Sequence, residues 1–487
     1  MQPELDQFLI PVEFADYRRR LIIHNDPTRL AGERLASEFR TLLDTLQKEF
    51  GTLPQSMQFS AGETAVRVVY LADRRFSVGE VIATLRKRPH LDAFHLEPDS
   101  RMTPAQLGSG DRLYPEQWAL TNIEAAAAWQ RLAQVPPRPP VTVAIVDSGI
   151  DAKHEDFVGL DMSGLSIIGG TLADDTGHGT MIAGIIGAVH NAIGVAGAAP
   201  NARILAIKIT DERTPPSALA GALGILAAVA MGAQVINLSW HVLATTSLLR
   251  LAIQIAGLDR RTVVAAAGNY GSNNSRIPTL PASYALSNMV VTMASDRHDD
   301  KCWFSNYGPT VDLAAPGMRV LSTGIYYVHP RYPDDNNGTS AAAAYVSAAA
   351  SLLLGIDDWT PQEIREHLNA SADRFRSLEG ICRSNGRLNL RRAVCGPFHI
   401  VQPAGGEMLE SGSTFDVRWT SDYADPVIGN VEIFAIRQGG GASISLGVFP
   451  DSGVQPVTLP NLTMPAFIRL KAQTKNLYAD SAPFEIV

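Results

Sequence analysis

Five short runs in the middle of the chain are apolar almost without interruption: VTVAIVD from Val141, ARILAIKI from Ala202, AQVINLSW from Ala233, TVVAAAGN from Thr262 and MVVTMAS from Met289. A strand with one face in water alternates apolar and polar residues, whereas one covered on both faces need not. Ala-rich stretches separate the runs, and each run leads into a polar or glycine-rich loop. Residues 117 to 394 are therefore expected to form an α/β domain, a parallel sheet with helices on both faces, whose chemistry gathers where strands end.

The flanks are built differently. Residues 1 to 100 hold 28 of the 90 charged side chains. They read as strands (QFLIPVEF, RRRLIIH, AVRVVYLA, DAFHLEP) around two helices, Asp26 to Phe50 and Ser77 to Arg88. Leu35, Phe39, Leu42, Leu43 and Leu46 recur at spacings of three and four, which places them on one helical face. After Gly396 the pattern changes to short alternating runs such as FDVRW, VEIFAI and FIRLKAQ, which is expected for a β-sandwich. The expected domains are residues 1–111 (small α+β), 112–395 (α/β) and 396–487 (β-sandwich).

A net charge of -8 gives no reason to expect nucleic acid as a partner. Three cysteines, Cys302, Cys382 and Cys395, exclude a disulfide scaffold and a CxxC zinc site. One Cys382–Cys395 bridge stays open, with three free thiols preferred. Thr214 to Leu249 carries no charged residue, but Pro215, Pro216, Asn237, Ser239 and His241 argue for a helix and a buried strand rather than a membrane span. The first residues have neither a basic nor a long apolar leader segment. The expected location is cytoplasmic, with secretion open if a leader lies outside these residues.

Three strings carry candidate chemistry. Strand Val143 to Asp147 delivers a carboxylate at its end, although such an Asp is often only a cap or loop anchor. In DTGHGT, glycines flank His178 at the start of an apolar helix, where a near-neutral pKa suits a general base. In NGTS, Ser340 opens the helix AAAAYVSAAASLLLG, with its amide at the end where the helix dipole favours negative charge. Each string alone has a purely structural explanation.

Together, their order and the strings DSGI, GHGT and NGTS resemble the subtilisin-like serine proteases, the subtilases. VVAAAGN, ending on Asn269, and QWALTNIEAAAAW, FSNYG, LAAPG, WTPQEIREHL and GRLNLRRAV extend the resemblance from Gln117 to Val394. It implies a subtilisin-like fold and hydrolysis of peptide bonds in proteins or peptides through an acyl-enzyme. Ser340 would be the nucleophile, His178 the general base and then acid, and Asp147 the group orienting the imidazole. The Asn269 side chain and the Ser340 amide would hold the oxyanion. Ser239, Trp240 and His241 would face Ala266, Ala267 and Gly268 across the substrate pocket.

The same resemblance implies a structural Ca2+ held by Gln117, Asp156, Val189, Asn191, Ile193 and Val195, and no cofactor for catalysis; a metal-free loop closed by hydrogen bonds is the alternative. The N-terminal block resembles subtilase propeptides, which implies an intramolecular inhibitor, with a cut between Pro98 and Pro115 if the chain matures itself. The C-terminal part resembles Ig-like or fibronectin-like modules. A monomer is expected. The competing class is a silent binding or scaffolding protein on the same fold, against which the complete Asp147, His178, Asn269 and Ser340 set weighs.

The chain departs from the family pattern after the serine, where Ala341 to Tyr345 replace the usual Met-Ala-x-Pro-His. Met181 stands where a second His is common, His241 where a Gly is common. Tyr270 adds no negative charge to the pocket, so apolar side chains are expected there ahead of basic ones.

Overall fold

The computed structural model describes residues 20–25, 32–50, 52–61, 64–71, 78–85, 87–88, 94–98, 108–136, 138–242, 247–325, 332–423, 426–438, 443–461 and 463–487. They fall into two compact units, one of residues up to 98 together with Arg374–Arg376, the other of the remaining residues.

The first unit has strands β1 (Arg20–Asn25), β2 (Thr52–Ala61), β3 (Thr64–Leu71) and β4 (Phe94–Pro98), with helices α1 (Gly32–Phe50) and α2 (Val78–Leu85). The sheet is antiparallel in the order β2-β3-β1-β4. Phe39, Leu42 and Leu46 of α1 are buried with Leu21, Ile23, Val69 and Phe94, which is the helical face read from the spacing. Strand β2 was not among the expected strands. Pro54, Gln55 and Ser56 interrupt its pattern, and its pairing with β3 slips between Thr52 and Ser56, before Met57, Phe59 and Ala61 alternate with Gln58 and Ser60. The expected strand QFLIPVEF lies outside the described residues.

The second unit is built on helices α3 (Trp118–Asn122) and α4 (Ala125–Leu132) and then an alternation of strands and helices. These are β5 (Thr142–Asp147), β6 (Met162–Ser166), α5 (His178–Gly187), β7 (Arg203–Lys208), α6 (Ala218–Ala230), β8 (Val235–Leu238), α7 (Ser247–Leu258), β9 (Thr262–Ala266), β10 (Met289–Ser295), β11 (Leu313–Pro316), α8 (Thr339–Ile356) and α9 (Pro361–Ser371). Within a nine-stranded sheet the order is β11-β10-β9-β8-β5-β7-β6, and every one of these pairs is parallel. All five apolar runs are strands, as two-sided burial requires. The uncharged stretch from Thr214 holds α6 and β8, so it folds as a helix and a buried strand.

Helix α8 is the centre of this architecture. Alanine has the highest helix propensity and no side chain beyond Cβ, so an Ala-rich helix can lie close against a sheet. α8 packs on β8, β9, β10 and β11 and on α5. By length and composition it is also the one helix among the described residues that could cross a membrane, but 89% of it lies inside the protein. Helix α9 starts with a complete capping box, in which Thr360 and Glu363 satisfy each other's backbone amides.

Residues 398 to 487 form two further sheets. One joins Phe398–Gln402, Thr414–Ser421 and Val454–Thr458; the larger joins Val431–Arg437, Ser443–Phe449 and Met464–Ala472 with shorter strands. Their buried side chains belong to the same hydrophobic core as the parallel sheet. Arg131 lies 3.3 Å over the Tyr478 ring, and Lys475 Nζ donates to the Asp358 carbonyl at 2.8 Å and pairs with Glu363 at 3.0 Å. The Tyr423 hydroxyl donates to the Arg392 carbonyl at 2.8 Å. All three cysteines are free, two buried and Cys395 partly so.

Candidate active site

In a parallel sheet all strands end on one side, so β5, β8 and β9 deliver Asp147, Ser239 and Asn269 to a common edge. Two helices begin at that edge, α5 with His178 and α8 with Thr339 and Ser340. Gly177 takes φ +85° immediately before His178, a conformation that side chains with a Cβ rarely adopt.

His178 Nδ1 donates to Asp147 Oδ1 at 2.8 Å. The same oxygen accepts the Ser148 amide at 2.8 Å, while the buried Oδ2 has no partner among the described residues. A proton held on Nδ1 leaves Nε2 as the acceptor, and 38% of the side chain is exposed. Burial pushes the imidazole pKa down. The Asp147 charge and hydrogen bond, with a further contribution from the Asp174 charge, outweigh it and raise the pKa above the ordinary value.

Asp174 was missed in the sequence. Its Oδ1 accepts from the Ser148 hydroxyl at 2.9 Å and the Thr176 and Gly177 amides, and its Oδ2 from the amide and hydroxyl of Thr180 at 2.9 and 2.7 Å. Ser148 Oγ in turn accepts the Gly179 amide at 3.0 Å. Donors at the start of α5 that have no partner in the helix are thereby satisfied by one buried carboxylate, which fixes where the helix begins and so where His178 stands. The signal was present: an acidic residue four positions before the helical His. A neighbouring Asp175 made the choice between the two ambiguous.

The Ser340 hydroxyl donates to the Ser239 carbonyl at 2.9 Å, and Ser239 Oγ returns a bond to the Ser340 carbonyl at 3.1 Å. Asn269 Oδ1 accepts the Thr339 amide and hydroxyl, each at 2.9 Å. Since both Thr339 groups are donors here, the oxygen of the amide must face them. The Nδ2 donor faces the other way, near Gly338.

Ser239-Trp240-His241 and Ala266-Ala267-Gly268 continue the adjacent strands β8 and β9. Trp240 Nε1 donates to the Val146 carbonyl at 2.8 Å, and its ring lies so close to Gly221 that a Cβ there would stand 2.6 Å away. His241 Nε2 lies 2.6 Å from the Tyr270 hydroxyl. His154, the remaining histidine worth weighing, is buried against Phe157 and Tyr332, away from this edge.

The six residues read as calcium ligands meet at the loop Asn191–Val195. The Asp156 side chain is fully buried, and that burial pushes its pKa up to about 7. Its Oδ2 accepts the Val195 amide at 2.9 Å, while its buried Oδ1 has no partner among the described residues. Gln117 pairs with Ala196 through both ends of its amide, and Asn191 Oδ1 accepts the Ile193 amide. Among the described residues the carbonyls of Val189, Ile193 and Val195 accept no hydrogen bond. An orphaned carboxylate oxygen beside three unused carbonyls is an oxygen-only donor set of the kind a hard cation takes, so these residues fit calcium.

A family model described as the subtilase family matches residues 139–393. Thermitase of Thermoactinomyces vulgaris is 35% identical over 285 residues, which is 57% of this chain and 95% of that protein. Subtilisin Savinase of Lederbergia lenta is 34% identical over 262 residues, covering 52% of this chain and 90% of that one. Thermophilic serine proteinase of Bacillus sp. (strain AK1) is 37% identical over 257 residues, 52% of this chain; the match spans only 61% of that longer protein.

Proposed function

The chain belongs to the subtilase family and is a subtilisin-like serine endopeptidase, and from that premise we propose that Ser340, His178 and Asp147 hydrolyse peptide bonds of protein substrates through an acyl-enzyme. The observation that carries this is the 2.8 Å His178–Asp147 bond at the edge where Ser340 and Asn269 also stand. With a substrate carbonyl in place, the Ser340 hydroxyl turns from the Ser239 carbonyl towards His178 Nε2. Apo sites often show such bonds unformed. Oγ bonds to the carbonyl carbon as its proton passes to Nε2, and the imidazolium gives that proton to the departing amine nitrogen. Water then repeats the sequence and releases the acid. Asn269 Nδ2 and the Ser340 amide stabilise the oxyanion in both steps.

Residues 1–111 act as a propeptide that inhibits the enzyme until it is cut, residues 112–395 carry the catalysis, and residues 396–487 form an Ig-like sandwich. Gln117, Asp156, Asn191 and the loop carbonyls would hold calcium, whose charge would balance the buried carboxylate. A casein or peptide assay tests the assignment: wild type cleaves, while Ser340→Ala neither cleaves nor processes its own N-terminus. Processing of pure Ser340→Ala would refute self-maturation.

A further inference from the structure

Strands β8 and β9 run in register up to Leu238 and Ala265, where their pairing ends. On one side Val242 pairs with Leu280 through two backbone bonds of 2.7 and 3.1 Å. On the other, Gly268 turns at φ +110°, tight against Asn306 and Thr279, where any Cβ would collide. Both segments leave from the proposed nucleophile, since Ser239 holds the Ser340 hydroxyl and the Gly268 amide donates to Thr339 Oγ1. Two residues beyond Ser239 and one beyond Asn269, two side chains bridge these segments. His241 Nε2 and the Tyr270 hydroxyl are 2.6 Å apart, with the rings edge to face at 5.0 Å.

We propose that the His241–Tyr270 bond is a clasp across the pocket for the side chain preceding the scissile bond, and that it restricts that side chain to small, uncharged residues. The inference rests on the catalytic reading above. A carbonyl carbon at Ser340 Oγ with its oxygen at Asn269 places the adjacent side chain between these segments. Ala266, Ala267 and Gly268, buried at the end of β9 beside it, offer no charged partner to a Lys or Arg. Both halves of the clasp are anchored at the backbone. The Tyr270 amide donates to Asn306 Oδ1 at 2.9 Å, an oxygen that also takes the Ser272 amide, and His241 precedes the Val242–Leu280 pairing. Burial lowers the His241 pKa, which favours the neutral ring that accepts the Tyr270 proton. The clasp consists of the bond at the tips and the edge-to-face ring contact, so shortening either side chain removes both.

The test is cleavage profiling of the full chain on a peptide library varied before the scissile bond, with wild type, Tyr270→Phe, Tyr270→Ala and His241→Gly. Wild type should prefer Ala, Gly or Ser over Phe and Leu at least tenfold in kcat/KM. Tyr270→Ala and His241→Gly should each raise the Phe/Ala ratio at least tenfold, and Tyr270→Phe, which loses only the hydroxyl, less. Tyr270 is 57% exposed, so its variants should fold even if His241→Gly does not. Wild type that cleaves after Phe, Lys or Arg as well as after Ala, or variants with an unchanged ratio, would overturn the clasp. Fluorophosphonate labelling of Ser340 in the same preparations separates the causes: labelled protein with an unchanged ratio refutes the clasp alone, and unlabelled wild type refutes the catalytic reading with it.

Discussion

One oxygen of Asn269 takes both hydrogen-bond donors of Thr339, at 2.9 Å each. Thr339 therefore acts as a positioning residue: it sets which end of the Asn269 amide is free to meet an oxyanion. Asn269→Ala should lower kcat about 10²–10³-fold with little change in KM, the usual cost of removing one side-chain oxyanion donor. Thr339→Val, which keeps the shape and loses the hydroxyl, should lower kcat by a smaller factor in the same pattern. Losses that appear mainly in KM would contradict both roles.

Asp174 satisfies the start of the His178 helix and adds negative charge near the imidazole. Asp174→Asn should destabilise the fold by about 2–3 kcal/mol, because buried donors lose a charged acceptor. It should also lower the His178 pKa, since a carboxylate favours the protonated ring. The base is then neutral at lower pH, and the acid limb of kcat/KM moves to lower pH. A pH profile identical to wild type would remove Asp174 from the electrostatics and leave it a structural cap.

Lys475 is buried where the C-terminal sheets meet α9, with its ammonium 4.6 Å from the centre of the Trp359 ring. Lys475→Ala should cost about 1–3 kcal/mol and lower Tm within a single unfolding transition. Lys475→Met should recover the part that comes from packing of the stem. A wild-type transition of the C-terminal sheets separate from that of the parallel sheet, followed by exchange protection in each, would show that the C-terminal sheets fold as an independent module instead.

For the Asn191–Val195 loop, a chelator should lower the wild-type Tm. The expected stabilisation is about 2.7 kcal/mol at free calcium one hundred times Kd. Asp156→Asn should remove most of that difference. An unchanged wild-type Tm would favour the metal-free loop closed by its own hydrogen bonds.

Much of the second unit was legible because its signals are local. Two-sided burial leaves an apolar run in each strand, and the strings around Asp147, His178 and Ser340 are contiguous. What escaped depends on contacts far apart in the chain. His241 and Tyr270 are separated by a helix and a strand, and nothing in either neighbourhood indicates that their tips meet. The joint between the C-terminal sheets and the parallel sheet likewise relies on Arg131 and Lys475, charged residues whose sequence setting reads as solvated surface. Strand β2 was lost for a local reason, since Pro54 and the bulge before Ser56 leave only the short alternation from Met57 to Ala61.

The central claim is that Ser340 is a nucleophile activated at the His178–Asp147 pair. Labelling with a fluorophosphonate tests it most directly, with peptide mapping of the modified residue. The account predicts that wild type is modified on Ser340, that Ser340→Ala is not modified, and that His178→Ala reacts far more slowly. Wild type left unmodified in its processed form, or modified equally after either substitution, would contradict it.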